Sequence, residues 1–328
     1  MGEGIAGLPK DIVIVEELRK YFFTKQGTVR AVDEVSFTIR EGETFGLVGE
    51  SGSGKTTVAH TLVGIYQPTS GRALFKGQDI GLASRRRPMS LKRDIRIVFQ
   101  DPGSSLNPRW SIKETLNLPL RVHRIRSNAG DRLKRIRELL AMVELPPDEY
   151  LYKYPQAIGG GEKQMMAIAR ALASDPSFVI LDEPTSALDV SVQAKIISLL
   201  MGLQKQLGLT YLFITHDLSL MRNMADRVAI MYLGKISEVA PTVEFFRGPL
   251  HPYTKMLLSS IPVITEEEEA LKPKKIVSRG EIPSPVNIPT GCSFHLRCPE
   301  KIALCPRVDP AMREVGSGHL VRCHLFNA

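Results

Sequence analysis

The stretch Gly49-Glu50-Ser51-Gly52-Ser53-Gly54-Lys55-Thr56-Thr57 constrains this chain more than any other. Before it runs Phe45-Gly46-Leu47-Val48, an apolar segment of buried-strand type, and after it Val58-Ala59-His60-Thr61-Leu62-Val63 carries helical apolar spacing. Strand, glycine loop and helix together are the context of a phosphate-binding loop. Glycines let successive backbone N–H groups turn inward on phosphates, and the helix N-terminus adds the positive end of its dipole. In that reading Lys55 reaches the β- and γ-phosphates and the Thr56 hydroxyl ligates Mg²⁺. A glycine-rich turn that merely precedes a helix is the alternative, and the flanking segments speak against it.

A chain of 328 residues is long enough for one large domain and a smaller one. No apolar run reaches bilayer-spanning length, and the start Met1-Gly2-Glu3-Gly4-Ile5 has no basic region followed by an apolar core. Ala6 stands where a myristoylation motif wants Ser or Thr. Net charge is +8, with much of the excess in Arg85-Arg86-Arg87 and between Arg121 and Arg137. Few aromatics interleave with these cations, which argues against a platform for single-stranded nucleic acid. Solvated helix faces are the preferred reading of both clusters over nucleic acid, an acidic membrane surface or a nucleotide ligand, and charge alone does not decide between them.

Strands are expected at 12–15 and 31–40, the second alternating from Val35 onward. Between them, Phe22 is the aromatic chosen over Tyr21 to stack on adenine, and a core or edge aromatic remains an equal reading. The phosphate-loop helix should end near Gly64, before the breakers Gln67-Pro68-Thr69-Ser70-Gly71. Further strands are expected at Arg72–Lys76 and Ile95–Phe99. The second ends at Gln100-Asp101-Pro102, which puts Gln100 at a strand tip where open α/β sheets bind ligands. From about 101 to 174 the pattern turns helical, with Leu133, Ile136, Leu139, Leu140 and Val143 at helical spacing.

Ile158-Gly159-Gly160-Gly161-Glu162 is a second glycine loop feeding a helix. It lacks a Gly-Lys-Thr ending, so it should not form a complete phosphate site alone. Phe178-Val179-Ile180-Leu181-Asp182-Glu183 carries two acids to the tip of a buried strand. Neighbours on a strand point to opposite sides, so the acids should do different work: Asp182 holds Mg²⁺ and Glu183 polarises the attacking water. Leu188-Asp189 precedes a helix over about 191–207, and the strand Tyr211–Thr215 ends at His216-Asp217.

Taken together, the loop Gly49–Thr56, Gln100, the loop 159–162, Asp182-Glu183, Ser186-Ala187-Leu188-Asp189 and His216 resemble the motif series of an ATP-binding-cassette (ABC) ATPase. More narrowly, the chain is similar to the second ATPase subunit of dipeptide and oligopeptide importers. Phe99-Gln100-Asp101-Pro102, Ser105-Leu106-Asn107-Pro108-Arg109, His251-Pro252-Tyr253-Thr254 and Gly280–Pro285 carry that likeness. The resemblance implies an α/β P-loop cassette with an antiparallel β subdomain over 1–262, its helical subdomain at about 101–174. A linker and four-cysteine tail domain would follow over 263–328. It implies ATP and Mg²⁺ as ligands, with Lys55, Gln100, Glu183 and His216 catalytic. Gly49 to Thr57, Phe22, Gly159 to Glu162 and Asp189 would line nucleotide. Thr56, Gln100 and Asp182 would serve Mg²⁺.

The same resemblance implies a peripheral protein on the cytoplasmic face of the cell membrane. Its partners would be a second ATPase subunit, two permeases and, indirectly, an external solute-binding protein. Two cassettes would sandwich two ATP molecules head to tail, each ATP lying between one subunit's phosphate loop and the other's glycine signature. The segment after Gln100 would receive a permease coupling helix. Oligosaccharide or nickel import is the alternative cargo; an exporter or a soluble cassette ATPase on nucleic acid is the more distant one.

One departure stands out. The family's Leu-Ser-Gly-Gly-Gln signature reads Ile158-Gly159-Gly160-Gly161-Glu162 here. Gly159 removes a hydroxyl for the γ-phosphate, where a hydrogen bond to a charged group is worth about 1.5–3 kcal/mol. Glu162 should compete with phosphate for the first-turn N–H groups. Signatures act in trans, so the defect falls on the partner's ATP.

Beyond the charged run Glu266–Glu269 and the prolines 273, 283, 285 and 289, the chain carries all of its four cysteines: Cys292, Cys298, Cys305 and Cys323. The spacings lack the tight C-x₂-C knuckle of structural zinc. A [4Fe–4S] cluster, as the resemblance implies for some members, Zn²⁺, and reduced thiols or disulfides all stay open. The tail's role should be structural, pinning a segment too small to bury its own core.

Overall fold

The computed structural model describes residues 10–261 and 280–326. The acidic run 266–269, Pro273, the expected domain boundary at 262/263 and the first nine residues lie outside that range. The described chain divides into two compact units, one built from Arg40–Glu43 and Leu82–Ile214, the other from Lys10–Ile39, Thr44–Gly81 and Thr215 onward.

Strands are numbered along the chain: β1 Asp11–Thr24, β2 Gly27–Arg40, β3 Thr44–Val48, β4 Ser70–Phe75, β5 Gln78–Asp79 and β6 Ile95–Val98. They continue with β7 Phe178–Asp182, β8 Thr210–Thr215, β9 Arg227–Tyr232, β10 Lys235–Pro241, β11 Arg313–Gly316 and β12 His319–Val321. In the first unit β6, β7 and β8 form a parallel ladder, with Ile97 opposite Ile180 and Ile180 opposite Leu212. Every residue of β7 and β8 is buried, which is why both read as continuous apolar runs. The helical stretch follows with helices Ile112–Val122, Ala129–Met142 and Gly160–Leu172. Ile136, Leu139 and Leu140 are buried, as their spacing predicts. Arginines of the same helix are ion-paired, Arg135 to Asp175 at 2.6 Å and Arg137 to Asp148 at 2.7 Å.

The second unit holds a four-stranded antiparallel sheet, β2-β1-β4-β5, and the phosphate-loop strand β3 running parallel to β9. β9 turns back antiparallel to β10, which pairs with β12 and through it with β11. The first strand is much longer than the expected 12–15. A bulge between Glu16 and Arg19, with Glu17 at φ 46°, shifts the register and hides the alternation of its second half.

Candidate nucleotide site

The phosphate loop lies wholly in the second unit. β3 is buried at all of its positions, and the helix Lys55–Val63 starts from Gly54, whose φ of 109° suits glycine. A Cβ on Gly54 would stand 2.1 Å from the Ala31 carbonyl oxygen, and one on Gly49 2.2 Å from that of Met231. The loop is thus wedged against the backbones of β2 and β9, and a side chain at either glycine would push it out of shape. The Lys55 ammonium lies inside the loop, donating to the carbonyls of Gly49 at 2.7 Å and Glu50 at 3.0 Å and to Ser53 Oγ at 3.4 Å. Ser51, Gly52, Thr56 and Thr57 complete the loop and first turn. No side chain caps this helix and no acid stands in its first turn, so the positive end of the dipole carries no built-in counter-charge.

Phe22 stands edge-on to Tyr66 at 5.2 Å, with the Lys20 ammonium 4.9 Å from its ring centre. The Tyr21 hydroxyl instead donates to Asp33 and, half-buried beside that carboxylate, is pushed up to about 12. His216, exposed at the end of β8, also belongs to the second unit.

The first unit carries the other set. Gln100, just beyond β6, donates from Nε2 to Glu183 Oε2 at 3.0 Å, so two candidates 83 positions apart meet. Asp182 is 1% exposed at the tip of β7. Glu183 turns sharply away with φ 46°, its N–H donating to Ile214 O at 2.9 Å. A non-glycine residue in that region costs of order 1–3 kcal/mol and persists only where its surroundings impose it. Asp189 caps the helix Val190–Leu207, accepting from Val192 N at 3.0 Å and Ser191 Oγ at 2.6 Å. Those bonds, Ser191 first, hold its carboxyl below the ordinary carboxylate range.

The glycine signature opens the helix Gly160–Leu172. Glu162 folds back onto it, Oε2 accepting the Gly159 N–H at 2.6 Å, while Oε1 accepts the Tyr150 hydroxyl. The Tyr150 bond and then the Gly159 amide hold the Glu162 carboxyl below its usual range. A Cβ on Gly161 would stand 2.6 Å from Val192 Cγ1, so the signature packs on the helix that Asp189 caps. Further along the signature helix, Arg170 reaches the segment after Gln100, with Nη2 3.0 Å from Ser105 Oγ and Nη1 on the Ser105 carbonyl.

All four cysteines are free thiols. Cys292 N donates to Cys305 O at 2.8 Å, and Cys292, Cys305 and Cys323 are buried. Burial first, and the neighbouring thiols after it, push Cys292 up to about 12 and Cys298 to about 11. The thiols therefore feel one another, although among the described residues no three His, Cys, Asp or Glu side chains are grouped to hold a metal ion. Sequence reasoning missed Arg297 and Tyr253, whose side chains both reach Glu50 of the phosphate loop. It also missed Tyr150 on Glu162. The His251-Pro252-Tyr253-Thr254 motif was the available signal for Tyr253; nothing local marks the other two.

A phosphate loop entering a helix, an acid pair at a buried strand tip and a second glycine loop define the class: a nucleotide-hydrolysing ATP-binding cassette. The ABC transporter family model matches residues 32–186, and that of the oligopeptide/dipeptide transporter C-terminal region matches 237–305. The oligopeptide transport ATP-binding protein AppF of Bacillus subtilis is 45% identical over 324 residues, covering 96% of this chain and 98% of its own. OppF of the same organism, also an oligopeptide transport ATP-binding protein, is 46% identical over 257 residues, 78% and 84% of the two chains. Among solved structures, the dimeric post-hydrolysis state of the cassette MJ0796 bound to ADP and phosphate superposes with TM-score 0.63 at 30% identity. It covers 70% of this chain and 98% of that one. The chain belongs to the ABC transporter ATP-binding family, in its oligopeptide/dipeptide transporter branch, and is an ATPase of that family.

Proposed function

We propose that this chain is one of two ATPase subunits that drive uptake of di- and oligopeptides through a pair of membrane permeases. The observation that carries the peptide reading is the C-terminal region 237–305, which matches that of oligopeptide and dipeptide transporters and follows the cassette in the same chain. No helix among the described residues is long and apolar enough to cross a membrane, so transport would be through other subunits. The cassette would sit peripherally on the cytoplasmic face, fed by an external binding protein.

In this reading the loop Gly49–Thr57 and Lys55 hold the triphosphate, and Phe22 lies against adenine. Thr56, Asp182 and Gln100 serve Mg²⁺, whose charge would offset that developing on the phosphates. Glu183 orients the attacking water, with Gln100 holding its carboxylate, and His216 supports it from another strand tip. The bond from Arg170 to Ser105 supports coupling, because it joins the signature helix to the segment expected to meet a permease. Nucleic acid is not an expected partner.

We infer a [4Fe–4S] cluster in the tail, with one zinc ion as the alternative. Four reduced thiols lie within electrostatic reach of each other. A cube of four irons and four sulfides holds its thiolates farther apart than the ligands of a single ion. When bound, the cluster would cross-link the tail, and its positive irons would offset the cost of burying Cys292, Cys298, Cys305 and Cys323 as thiolates.

The experiment is reconstitution in proteoliposomes with the permeases, the second ATPase and the binding protein. ATP-driven accumulation of a labelled tripeptide, with no competition from nickel or maltotriose, supports the reading. Transport of either competitor in place of peptide contradicts it. Iron and sulfide near about four each after anaerobic purification would support the cluster; stoichiometric zinc without sulfide would replace it.

A further inference from the structure

The cysteine-bearing tail reaches the nucleotide site at one point. Arg297, five positions after Cys292 and next to Cys298, sends both terminal nitrogens to the Glu50 carboxylate of the phosphate loop, at 2.8 and 3.2 Å. The Arg297 side chain is 7% exposed and that of Glu50 26%. Its backbone is fixed by a tight turn, in which His295 N bonds Cys292 O and Arg297 N bonds Phe294 O. Below it, Phe294, Tyr232 and Tyr253 pack with ring centres 4.6–5.3 Å apart. The Tyr253 hydroxyl donates to Glu50 Oε2 and accepts from Glu50 N, both at 3.2 Å. Tyr253 is set in turn by His251, which caps its helix, and by buried Glu238, which accepts the N–H groups of Leu250 and His251 at 2.8 Å.

A carboxylate in the loop that must take up a polyanion is an electrostatic liability, since like charges at close range repel. A bidentate guanidinium both neutralises it and fixes its direction. We propose that Arg297 is a positioning residue for the ATP site: by pairing with Glu50 it removes a repelling charge from the phosphate loop and holds the loop's second residue in place. The cysteine tail is then more than a fold anchor. Its turn 292–298 carries the cation that makes the loop fit for triphosphate. This rests on the ATPase reading of the loop.

The test is titration of trinitrophenyl-ATP into the purified full chain, with thermal melting alongside. Lys55→Ala must lose binding; if it does not, the loop reading itself fails. Given that loss, Arg297→Met should weaken binding about tenfold, the low end of what a charge-assisted hydrogen bond supplies. The double variant Arg297→Met with Glu50→Gln should recover to within about threefold of the wild type, because the repelling charge is gone. A merely structural arginine would give no such rescue. Arg297→Lys, which keeps the charge and controls for any unfolding of the turn by Met, should stay within about threefold as well. Unchanged binding in Arg297→Met, a double variant no tighter than the single, or Arg297→Lys as weak as Met would each overturn the proposal.

Discussion

Two glycine loops open helices in this molecule, and they treat their helix N-termini in opposite ways. Gly54 leads into Lys55–Val63 with no side-chain cap and no acid in the first turn, and the cation Lys55 stands within the loop. Gly159 leads into Gly160–Leu172, and there Glu162 has already taken the Gly159 N–H. One helix start carries no acid in its first turn, whereas at the other the chain's own Glu162 carboxylate takes the amide just ahead of the helix. A helix N-terminus is therefore only as good a phosphate site as its first turn allows.

The widest split between the two loops should come from Lys55→Ala. Removing one partner of a charge pair costs about 2–5 kcal/mol, so nucleotide affinity should fall by roughly a hundredfold in equilibrium titration. Glu162→Gln in the other loop should leave the affinity of the isolated chain near its starting value. Comparable losses from both would erase the contrast.

Acid should separate them next. Burial, opposed in part by Glu238, pushes His251 down to about 4, so the folded protein keeps it neutral. Between an unfolded value near 6.5 and that lowered value the unfolded chain binds more protons. Its contribution is thus whole above about pH 6.5 and is lost as pH falls toward 4, by about 1–3 kcal/mol in denaturant titrations. His251→Asn should flatten that window. The link beneath Glu50 should loosen there, whereas the Glu162 cap, whose carboxyl is held low, should persist.

The smallest effect expected is a gain. Gly159→Ser with Glu162→Gln restores the hydroxyl and removes the carboxylate charge, and turnover of the assembled transporter should rise by about threefold, the scale of one ordinary net hydrogen bond. Unchanged turnover would mean that the altered signature is neutral.

The phosphate loop was legible because its logic is contiguous: strand, glycines, Lys55 and helix fall within one short window. The buried strands β7 and β8 were legible for the same reason. The hairpin from β9 to β10 was not, since its turn uses Leu233 and Gly234, both at positive φ, without the Asn-Gly or Asp-Gly signal that marks such turns. Within the site, the acids of Asp182-Glu183 could be assigned to a strand tip, but the bond from Gln100 to Glu183 is made across 83 residues. The contact from Arg297 to Glu50 spans 247. Neither distance leaves a periodic trace, and the second joins two regions that composition alone presents as unrelated.

The most direct test of unequal loops is made in the assembled transporter, on the proposal that it contains two different ATPase subunits. Steady-state ATP hydrolysis would be measured with Glu183→Gln in this chain and, separately, with the matching glutamate changed in the partner. The altered signature burdens the ATP over the partner's phosphate loop, so Glu183→Gln should abolish turnover, by about a hundredfold or more as removal of a general base does. The partner's change should then leave a substantial fraction. Equal losses from the two would contradict the account.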